Sequence, residues 1–595
     1  RSGKDINGAT TFDRNVTFRL MTDYSPYTKT LASAQALGKK FAILDDVQDG
    51  AFSVYQGNIK MTAAGKDVKS LFDMHHVLSD KGRTDAINKI LKELNLQPRG
   101  EFYLWVAKDS KSFYQNYVKQ NKNVTIDLPA KLLVKAGEKV KNDFKQIDFG
   151  NSYQSNLVTV EVPNVKPEKH VLDRTGKKVL DGKEVQLGDF VQYLLDGVTV
   201  PEKHDTLYQY DGLDKLDTKH DRYTGNWKGI IKGTEYTAEK ELTLPYDVIL
   251  KNGKVIKAGD KISKGSSYAF TFEFNQGTNS EFIKKLVTVK WDAKGGQWSY
   301  VINQDFLNSL GVKGTFDADF YIEAERIETG DKIENTFINI VNKQEMTAKV
   351  ITRTPEPPKP KHPEKHALDK TGQKVLDGKE VQLGELIQYL LDGVTIPERH
   401  HTLYQYDGLD KLDTKHDRYT GNWKGIVKGT EYTAEKDLTL PYDVILKDGK
   451  VIKAGDKISK GSSYAFTFEF NQDTNSEFIK KLVTVKWDAK GGQWSYVINQ
   501  DFLNSLGVKG TFDADFYIEV ERIAAGEVEN TFVNIVNGQE MTAKVTTHTP
   551  PKPEEPGKPN PQPSLPNTGS AASMLPVVGM ILGLLSLVGL RKYKK

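Results

Sequence analysis

Residues 318–325 read Ala-Asp-Phe-Tyr-Ile-Glu-Ala-Glu and alternate apolar with polar side chains along their whole length. In an extended chain the side chains of Ala318, Phe320, Ile322 and Ala324 would share one face. Residues 269–274 repeat the pattern with three phenylalanines at every second position. A period of two is typical of a half-buried antiparallel strand, so these segments predict a β-rich fold.

Turns and a single strong helical stripe complete this prediction. Asn252-Gly253 and Gly295-Gly296 are turn signals between apolar runs. Helix is minor: an i, i+3, i+4, i+7 apolar stripe spans residues 87–94, with Asp85 near its start. We therefore predict an all-β chain of tandem Ig-like β-sandwich domains with minor helical insertions.

A long internal repeat sets the domain organisation. Tyr208–Trp227 is identical to Tyr404–Trp423, 196 residues later. A period this long means that each copy is a whole domain rather than a solenoid unit. Arg1–Gly8 also aligns with Arg174–Gly182, and Phe41–Asp46 with Tyr210–Lys215, which predicts a third, diverged copy. On that alignment the chain begins inside a domain whose first strand precedes Arg1.

The predicted boundaries follow from the repeat and from proline-rich segments, which favour extended linkers. They are an Ig-like domain at 1–163 with a truncated first strand, Ig-like repeats at 164–354 and 364–548, a Pro-rich linker at 355–363, a second Pro-rich linker at 549–564, and a C-terminal segment at 565–595.

Composition excludes several kinds of function. Lys plus Arg total 83 against 79 for Asp plus Glu, so the net charge of +4 gives no basic footprint for a nucleic-acid partner. The absence of cysteine excludes disulfides and thiolate metal sites. No catalytic motif is recognisable, and we predict neither an enzyme nor a cofactor.

One acidic segment is a weak candidate for calcium, which prefers several hard oxygen ligands. Its spacing is not that of an EF-hand, and neighbouring lysines could neutralise the carboxylates, so a solvated loop is the favoured interpretation. The candidate residues are Asp211, Asp214, Asp217 and their repeats Asp407, Asp410 and Asp413.

The C-terminus carries a sorting signal. Leu565-Pro566-Asn567-Thr568-Gly569 precedes the apolar run 571–590 and the basic tail 591–595. About 20 apolar residues suffice for a transmembrane helix, and the basic tail stays cytoplasmic. The order resembles the LPxTG signal of wall-anchored proteins. That resemblance implies cleavage by sortase between Thr568 and Gly569, an amide bond from Thr568 to peptidoglycan, and a secreted, wall-anchored protein.

Further strings point to one family. Pro167–Asp173, Glu334–Phe337 and Thr547–Pro550 are similar to the C-terminal Ig-like domains of antigen I/II-type surface adhesins. The resemblance implies a stalk and anchor for a binding head upstream of Arg1. It also implies cell–cell aggregation during conjugative plasmid transfer, biofilm formation and host attachment, with lipoteichoic acid or another partner-cell or host surface as the ligand.

The same resemblance implies an intramolecular isopeptide bond between a first-strand lysine and a last-strand asparagine. Lys169 and Lys365 match the lysine, and Asn156 matches the asparagine of the first domain, whose lysine would precede Arg1. In the two close copies the matching positions, 347–350 and 542–545, contain no asparagine. We therefore predict no such bond, unless Asn339 or Asn342 takes that role.

Two rival functions remain. The repeats themselves could bind a cell-surface polymer or host glycan, since aromatic side chains such as Tyr208, Tyr210, Tyr223 and Trp227 can stack on sugars. Against this, the aromatic residues of a sandwich usually fill its core. A cell-wall hydrolase is the third class, and no motif supplies its acid pair.

Overall fold

A computed structural model describes residues 3–29 and 31–557. The predicted sorting signal at 565–595 lies outside these residues. Within them, no helix is both long and apolar enough to cross a membrane. The chain divides into two compact units: Arg1–Glu184, Phe190–Glu325 and Lys332–Arg353 form the first, and Val185–Asp189, Arg326–Asp331 and Thr354–Lys595 form the second.

The first sandwich is built from thirteen short strands and three α-helices. Its sheets have the orders β12-β11-β3-β8-β7, β2-β9-β5-β6 and β1-β13-β10, with β4 also pairing with β9. Their bounds are β1 Ala9–Thr10, β2 Asn15–Met21, β3 Ala42–Asp46, β4 Phe52–Val54, β5 Lys60–Ala63, β6 Lys66–Asp67, β7 Phe72–Val77, α1 Ala34–Leu37, α2 Asp85–Glu93, β8 Phe102–Ala107, α3 Ser110–Phe113, β9 Val124–Leu132, β10 Lys139–Asn142, β11 Lys145–Asp148, β12 Asn151–Gln154 and β13 Val158–Glu161.

The second sandwich packs a seven-stranded sheet, β14-β15-β25-β17-β22-β19-β20, and a five-stranded sheet, β23-β24-β16-β26-β27. A two-stranded ribbon, β18-β21, completes it. The bounds are β14 Glu168–Asp173, β15 Phe190–Asp196, β16 Tyr210–Lys215, β17 Asp221–Thr237, β18 Leu242–Thr243, β19 Val248–Leu250, β20 Val255–Ile256, β21 Lys261–Ile262, β22 Ser267–Asn275, α4 Glu281–Leu286, β23 Val287–Asp292, β24 Gln297–Ile302, α5 Gln304–Ser309, β25 Thr315–Arg326, β26 Gly330–Val341 and β27 Gln344–Thr354.

The third sandwich repeats this topology strand for strand, with sheets β28-β29-β39-β31-β36-β33-β34, β37-β38-β30-β40-β41 and β32-β35. The bounds are β28 Glu364–Asp369, β29 Leu386–Asp392, β30 Tyr406–Lys411, β31 Asp417–Thr433, β32 Leu438–Thr439, β33 Val444–Leu446, β34 Val451–Ile452, β35 Lys457–Ile458, β36 Ser463–Asn471, α6 Glu477–Leu482, β37 Val483–Asp488, β38 Gln493–Ile498, α7 Gln500–Ser505, β39 Thr511–Arg522, β40 Gly526–Val536 and β41 Gln539–Thr549.

The fold prediction is confirmed: the described chain is mostly antiparallel strand, with short helical insertions. The opening segment forms β25, and its buried residues alternate with half-buried ones. The helical stripe forms α2, whose N-terminus is capped by the Thr84 side chain accepting the Ile87 amide proton at 3.2 Å. Gly253 and Gly296 both have positive φ, as their turns require.

The strand pairing around β3 in the first sandwich is similar to that around β16 in the second. Strand β3 lies between β8 and β11 as β16 lies between β24 and β26. Gly8 donates its amide proton to Thr159 in β13, and Gly182 donates to Ile351 in β27. Phe41–Asp46 and Tyr210–Lys215 therefore take similar places in their sheets, and the origin of the first domain as a diverged copy stays a prediction.

The core of the second sandwich is aromatic and tightly filled. The rings of Tyr300 and Phe320 stack with centroids 3.9 Å apart, and both residues are fully buried. Gly212 lies in β16 directly opposite Tyr300 in β24. A Cβ atom at Gly212 would overlap the Tyr300 ring, so this position requires glycine for close approach rather than for backbone freedom.

Within the first compact unit, the first two sandwiches meet at a buried carboxylate. Asp205 accepts amide protons from Phe12 and Asp13 at 3.1 Å each and a proton from Asn342 Nδ2 at 2.8 Å. Its own amide donates to the Thr10 carbonyl. Three fixed donors on one buried carboxylate hold this junction in one geometry.

We predict that Gly212→Ala lowers the free energy of unfolding of the second sandwich by about 1–3 kcal/mol, because the added methyl group overpacks the core. Calorimetric unfolding of the purified chain measures the change. Gly57→Ala is the control, since a Cβ there has no neighbour within 4 Å, and it should shift stability by less than about 0.5 kcal/mol. Equal effects of the two substitutions would contradict the packing argument.

Candidate functional site

Each of the two close copies buries a lysine beside an aspartate. In the second sandwich Lys169 on β14 places Nζ 2.8 Å from Oδ1 of Asp214 on β16, and both side chains are fully buried. The same Nζ lies 4.8 Å from the centre of the Tyr193 ring. Because β14 and β16 belong to different sheets, the pair bridges the two layers of the sandwich.

An asparagine completes the group. Asn335 on β26 is 1% exposed and lies close enough to Asp214 to lower the pKa of that carboxyl. Neither its side-chain oxygen nor its nitrogen makes a hydrogen bond of normal geometry. A buried, unpartnered carboxamide is costly in a folded protein and indicates a role other than stability.

The third sandwich repeats the group residue by residue. Lys365 on β28 places Nζ 2.6 Å from Oδ2 of Asp410, with both side chains fully buried. Asn530 on β40 is fully buried beside Asp410 and is also without a hydrogen-bond partner. Two copies of one arrangement show that the geometry belongs to the fold rather than to one accidental contact.

Burial shifts both titrating groups toward their neutral forms. Desolvation lowers the pKa of the Lys169 amine, and the neighbouring Asp214 opposes this shift only in part. Desolvation likewise raises the pKa of Asp214 above its ordinary value, against the effect of Lys169. Each pKa shift is in the direction of the neutral form of its group, and the cause is burial.

This arrangement has the parts needed to form an amide between two side chains. A neutral lysine Nζ can attack the Asn335 Cγ, and the protonated aspartate can donate to the carboxamide as ammonia leaves. The products are a Lys–Asn isopeptide bond and one ammonia molecule. The aspartate returns to its starting state, because it gives one proton to the leaving group and takes one from the amine.

The structure corrects the sequence-based assignment of the asparagine. The partner lies on the penultimate strand, at Asn335 and Asn530, so its absence from 347–350 and 542–545 does not remove the group. The alternatives Asn339 and Asn342 have other roles, since their side-chain oxygens accept the Val198 and Tyr208 amide protons. The sequence did contain a signal for this asparagine, because Glu334–Phe337 and Glu529–Phe532 both read Glu-Asn-Thr-Phe.

In the first sandwich the proposed Asn156 is exposed. Asn142 takes the equivalent place instead. Its Nδ2 donates to Oδ2 of the fully buried Asp45 at 3.0 Å, and Asp45 lies on β3 where Asp214 lies on β16. Burial raises the pKa of Asp45 to about 7.

The calcium candidates drawn from the sequence do not form one site. Asp214 and Asp410 are engaged with the buried lysines. Asp217 and Asp413 accept hydrogen bonds from His220 and His416 at 2.8 Å. Asp211 and Asp407 accept from neighbouring glutamines. Asp211 and Asp214 point to opposite sides of β16, because residues three apart in a strand lie on opposite faces. The same holds for Asp407 and Asp410 in β30.

A different carboxylate cluster could hold a divalent cation. Asp196, Asp317 and Asp319 each offer an oxygen within 4.8 Å of the others, and the third sandwich repeats the cluster at Asp392, Asp513 and Asp515. The fully buried Tyr300 hydroxyl has no hydrogen-bond partner. Burial raises the pKa of Tyr300, and the nearby carboxylates of Asp319, Asp211 and Asp317 add to this shift. Oxygen donors of this kind suit calcium.

The aromatic residues proposed for glycan stacking are not exposed. Tyr210 is fully buried, and Tyr208, Tyr223 and Trp227 are only partly accessible. Trp227 packs against Phe274 and Trp298, with ring centroids about 6 Å apart. In this copy the four rings contribute to the core and its margin.

Comparison with known proteins identifies the family of the chain. Residues 1–162 match a family model described as the cell surface antigen I/II C2 terminal domain, and residues 166–355 and 362–550 match one described as the cell surface antigen C-terminus. The fold and the matches first define a class: tandem Ig-like domains of an extracellular, adhesin-type cell-surface protein. More particularly, the chain belongs to the antigen I/II family of cell-surface antigens.

The chain is also similar to individual proteins. The chain is 28% identical over 259 residues to aggregation substance of Enterococcus faecalis (strain ATCC 700802 / V583), a match that covers 42% of this chain and 17% of that protein. It is similar to the C-terminal domain of the antigen I/II-family protein AspA of Streptococcus pyogenes, at 28% identity and a TM-score of 0.45, over 59% of this chain and 95% of that one. The BspA C-terminal domain of Streptococcus agalactiae matches at 28% identity and a TM-score of 0.43, over 59% and 97% of the two chains.

We predict that the chain binds two calcium ions and that Asp319→Asn binds one. Burial and mutual repulsion raise the pKa of Asp317 and Asp319. Without a cation, the free energy of unfolding should therefore fall as the pH rises above about 4. In that range the carboxyl groups of the unfolded chain ionise, while those of the folded cluster still hold their protons. Calcium at about one hundred times its Kd should add about 2.7 kcal/mol. A fixed calcium concentration should add more at about pH 8 than at about pH 5, because ionised carboxylates bind the cation more tightly.

Titration calorimetry and thermal unfolding in chelator or calcium test this prediction. Asp217→Asn is the matched control and should still bind two ions. An unchanged stoichiometry in Asp319→Asn would show that the cluster is not the site.

Proposed function

We propose that this chain is the stalk and anchor region of a sortase-attached surface adhesin. The observation that carries the proposal is a sandwich repeated in tandem, with a buried lysine, aspartate and asparagine joining its two sheets in both close copies. A stalk must transmit force, and a bond between its sheets would resist their separation. The Leu565–Gly569 motif supports covalent attachment to peptidoglycan by sortase through Thr568.

On this proposal the ligand-binding head lies upstream of Arg1. Lipoteichoic acid or another partner-cell or host surface would be its ligand. Cell–cell aggregation in plasmid conjugation, biofilm formation and host attachment would then be activities of the whole protein. The similarity to aggregation substance supports this assignment, and we assign no catalysis on external substrates to the described domains.

The rival proposal, direct binding by the repeats, has one observation in its favour. Tyr404 is 51% exposed in the third sandwich, whereas the equivalent Tyr208 donates a hydrogen bond to Asp13. A single exposed tyrosine offers one face for a sugar, which is a weak basis for a glycan site. The stalk is therefore the better supported function.

We further propose that Lys169 forms an isopeptide bond with Asn335, and Lys365 with Asn530. Each bond closes a loop of more than 160 residues. In the chain-entropy model of cross-links, such a loop adds on the order of 5 kcal/mol to the stability of the fold.

The intact mass of the purified chain should be lower than its sequence mass by two ammonia molecules. Lys169→Arg should restore one ammonia and lower the unfolding temperature of the second sandwich, because a guanidinium is always charged and cannot attack. The exposed Lys178 provides the control, and Lys178→Arg should leave the mass deficit unchanged. A full sequence mass for the unsubstituted chain would rule out both bonds.

The stalk function is tested by competition. Purified residues 3–557, added in large excess to cells that clump through the full-length adhesin, should leave clumping unchanged because the fragment lacks the head. A dose-dependent loss of clumping would mean that these domains bind the partner directly. In that case Tyr404→Ala would be the first variant to compare with the unsubstituted fragment.

A further inference from the structure

An aromatic ring lies against each buried lysine amine. In the third sandwich the Lys365 Nζ is 4.8 Å from the centre of the Tyr389 ring, which is within contact range of the ring face. Lys365 on β28 lies opposite Leu391 on β29, so Tyr389 is its diagonal neighbour on the same face of the sheet. The amine therefore has two close neighbours, this ring and the Asp410 carboxyl at 2.6 Å.

Buried polar groups hold the ring in place. The Tyr389 hydroxyl donates to Asp417 Oδ2 at 2.6 Å, and Asp417 Oδ1 accepts from Arg522 Nε at 2.7 Å. Arg522 lies directly opposite Asp417 where β31 pairs with β39. Its guanidinium also donates to Thr547 and Thr549 on β41. If the ring turned away, a buried carboxylate would lose a donor, which is costly in a dry core.

The second sandwich has the same group. Lys169 Nζ lies 4.8 Å from the centre of the Tyr193 ring, and the Tyr193 hydroxyl donates to Asp221. Arg326 stands in the place of Arg522, is fully buried, and donates to Thr354 Oγ1 at 2.6 Å. The tyrosine and its polar support therefore accompany the buried lysine in both close copies.

Bond formation makes a strict demand on the lysine side chain. Its amine ends a flexible four-carbon stem, and attack on a carboxamide needs the nitrogen held about 3–3.5 Å from the carbon. One hydrogen bond to Asp410 does not supply this, because Nζ can turn about the carboxyl and keep the bond. A ring fixed against the amine removes that freedom.

The polar support also limits the charge near the amine. Burial lowers the pKa of the Lys365 amine, and the carboxylates of Asp410 and Asp417 oppose that shift. Arg522 carries a permanent positive charge 2.7 Å from Asp417 and so offsets its negative charge. Because the amine must lose its proton before it can attack, this pairing favours the reaction.

We propose that Tyr389 and Tyr193 are positioning residues for isopeptide formation: each ring directs the lysine amine at the asparagine carboxamide, and the Asp–Arg pair behind it fixes the ring. In the third sandwich Lys365 Nζ forms a bond to Asn530 Cγ, the Cγ–Nδ2 bond breaks, and ammonia leaves with a proton that Asp410 relays from the amine. Tyr389 takes part in none of these bond changes. The inference rests on the isopeptide bonds proposed above and adds a residue that determines their rate.

The test follows how fast each site becomes linked. The full chain is made in a short cell-free synthesis, samples are quenched in guanidinium at intervals, and peptide mapping gives the linked fraction of the third-sandwich site. The second-sandwich site of the same molecules is the internal reference. Tyr389→Phe keeps the ring but loses its bond to Asp417, and we expect its linking to slow at least about tenfold relative to the reference. Tyr389→Leu removes the ring and should slow linking about a hundredfold.

Tyr432→Phe is the matched control. It removes a buried tyrosine hydroxyl of the same sandwich, one that donates to the Thr511 carbonyl at 3.0 Å. It should therefore lower the unfolding temperature without slowing the linking. Equal linking rates in Tyr389→Phe and Tyr432→Phe would overturn the positioning role. If circular dichroism shows that Tyr389→Leu does not fold, the comparison of these two variants decides alone.

The unsubstituted chain separates the two proposals. Linking of both sites at the unsubstituted rate in every variant would overturn the positioning role and leave the isopeptide bonds standing. An unsubstituted chain of full sequence mass would reject the bonds and the positioning role together.

Discussion

The contact of a lysine amine with a carboxyl group in a dry core is the constraint on which these sandwiches depend. Removing two charges from water costs several kcal/mol for each ion, and a single ion pair seldom recovers it. The site lowers this cost by favouring the neutral forms of Lys169 and Asp214. The Tyr193 ring lies 4.8 Å from Lys169 Nζ and is part of the apolar surroundings that exclude water from the pair.

A buried arginine shows, by contrast, why a lysine occupies the reactive position. Arg522 is fully buried, and its guanidinium donates to Asp417, Thr547 and Thr549 at 2.5–2.7 Å. Arginine cannot lose its proton in a protein, so it must be satisfied by acceptors. It ties β41 to the opposite sheet by hydrogen bonds alone. Lysine can become neutral and nucleophilic, which suits it to a covalent link.

Much of the fold follows from the sequence because alternation with a period of two is a local property. The strand at residues 318–325 and helix α2 were both predictable from the spacing of apolar residues. The position of Asn335 was not, because which strand faces Lys169 across the sandwich depends on sheet order. The sequence analysis placed the asparagine on the last strand, β27, instead of on β26. The matching positions of β27 contain no asparagine, so Asn335 was not considered.

Side-chain exposure was also beyond the sequence. Tyr223 and Trp227 lie in a long strand with irregular pairing, so their spacing does not reveal which face they take. The junction at Asp205 was equally hidden, since its partners Phe12 and Asn342 are more than 130 residues away in the chain. The third copy has His401 where the second has Asp205. The sequence shows this difference, but it does not show that Asp205 joins two sandwiches.

The near identity of β14 and β28 has a consequence for biogenesis. Their sequences, Glu-Lys-His-Val-Leu-Asp and Glu-Lys-His-Ala-Leu-Asp, differ at one position, so either strand would fit the other's groove. If an exchanged strand reacted there, the error would be permanent, because an amide does not reopen as hydrogen bonds do. Accuracy must then come from timing: domains that emerge from the export channel one after another fold as units. A chain secreted in order would seal the correct partner before the competing strand appears.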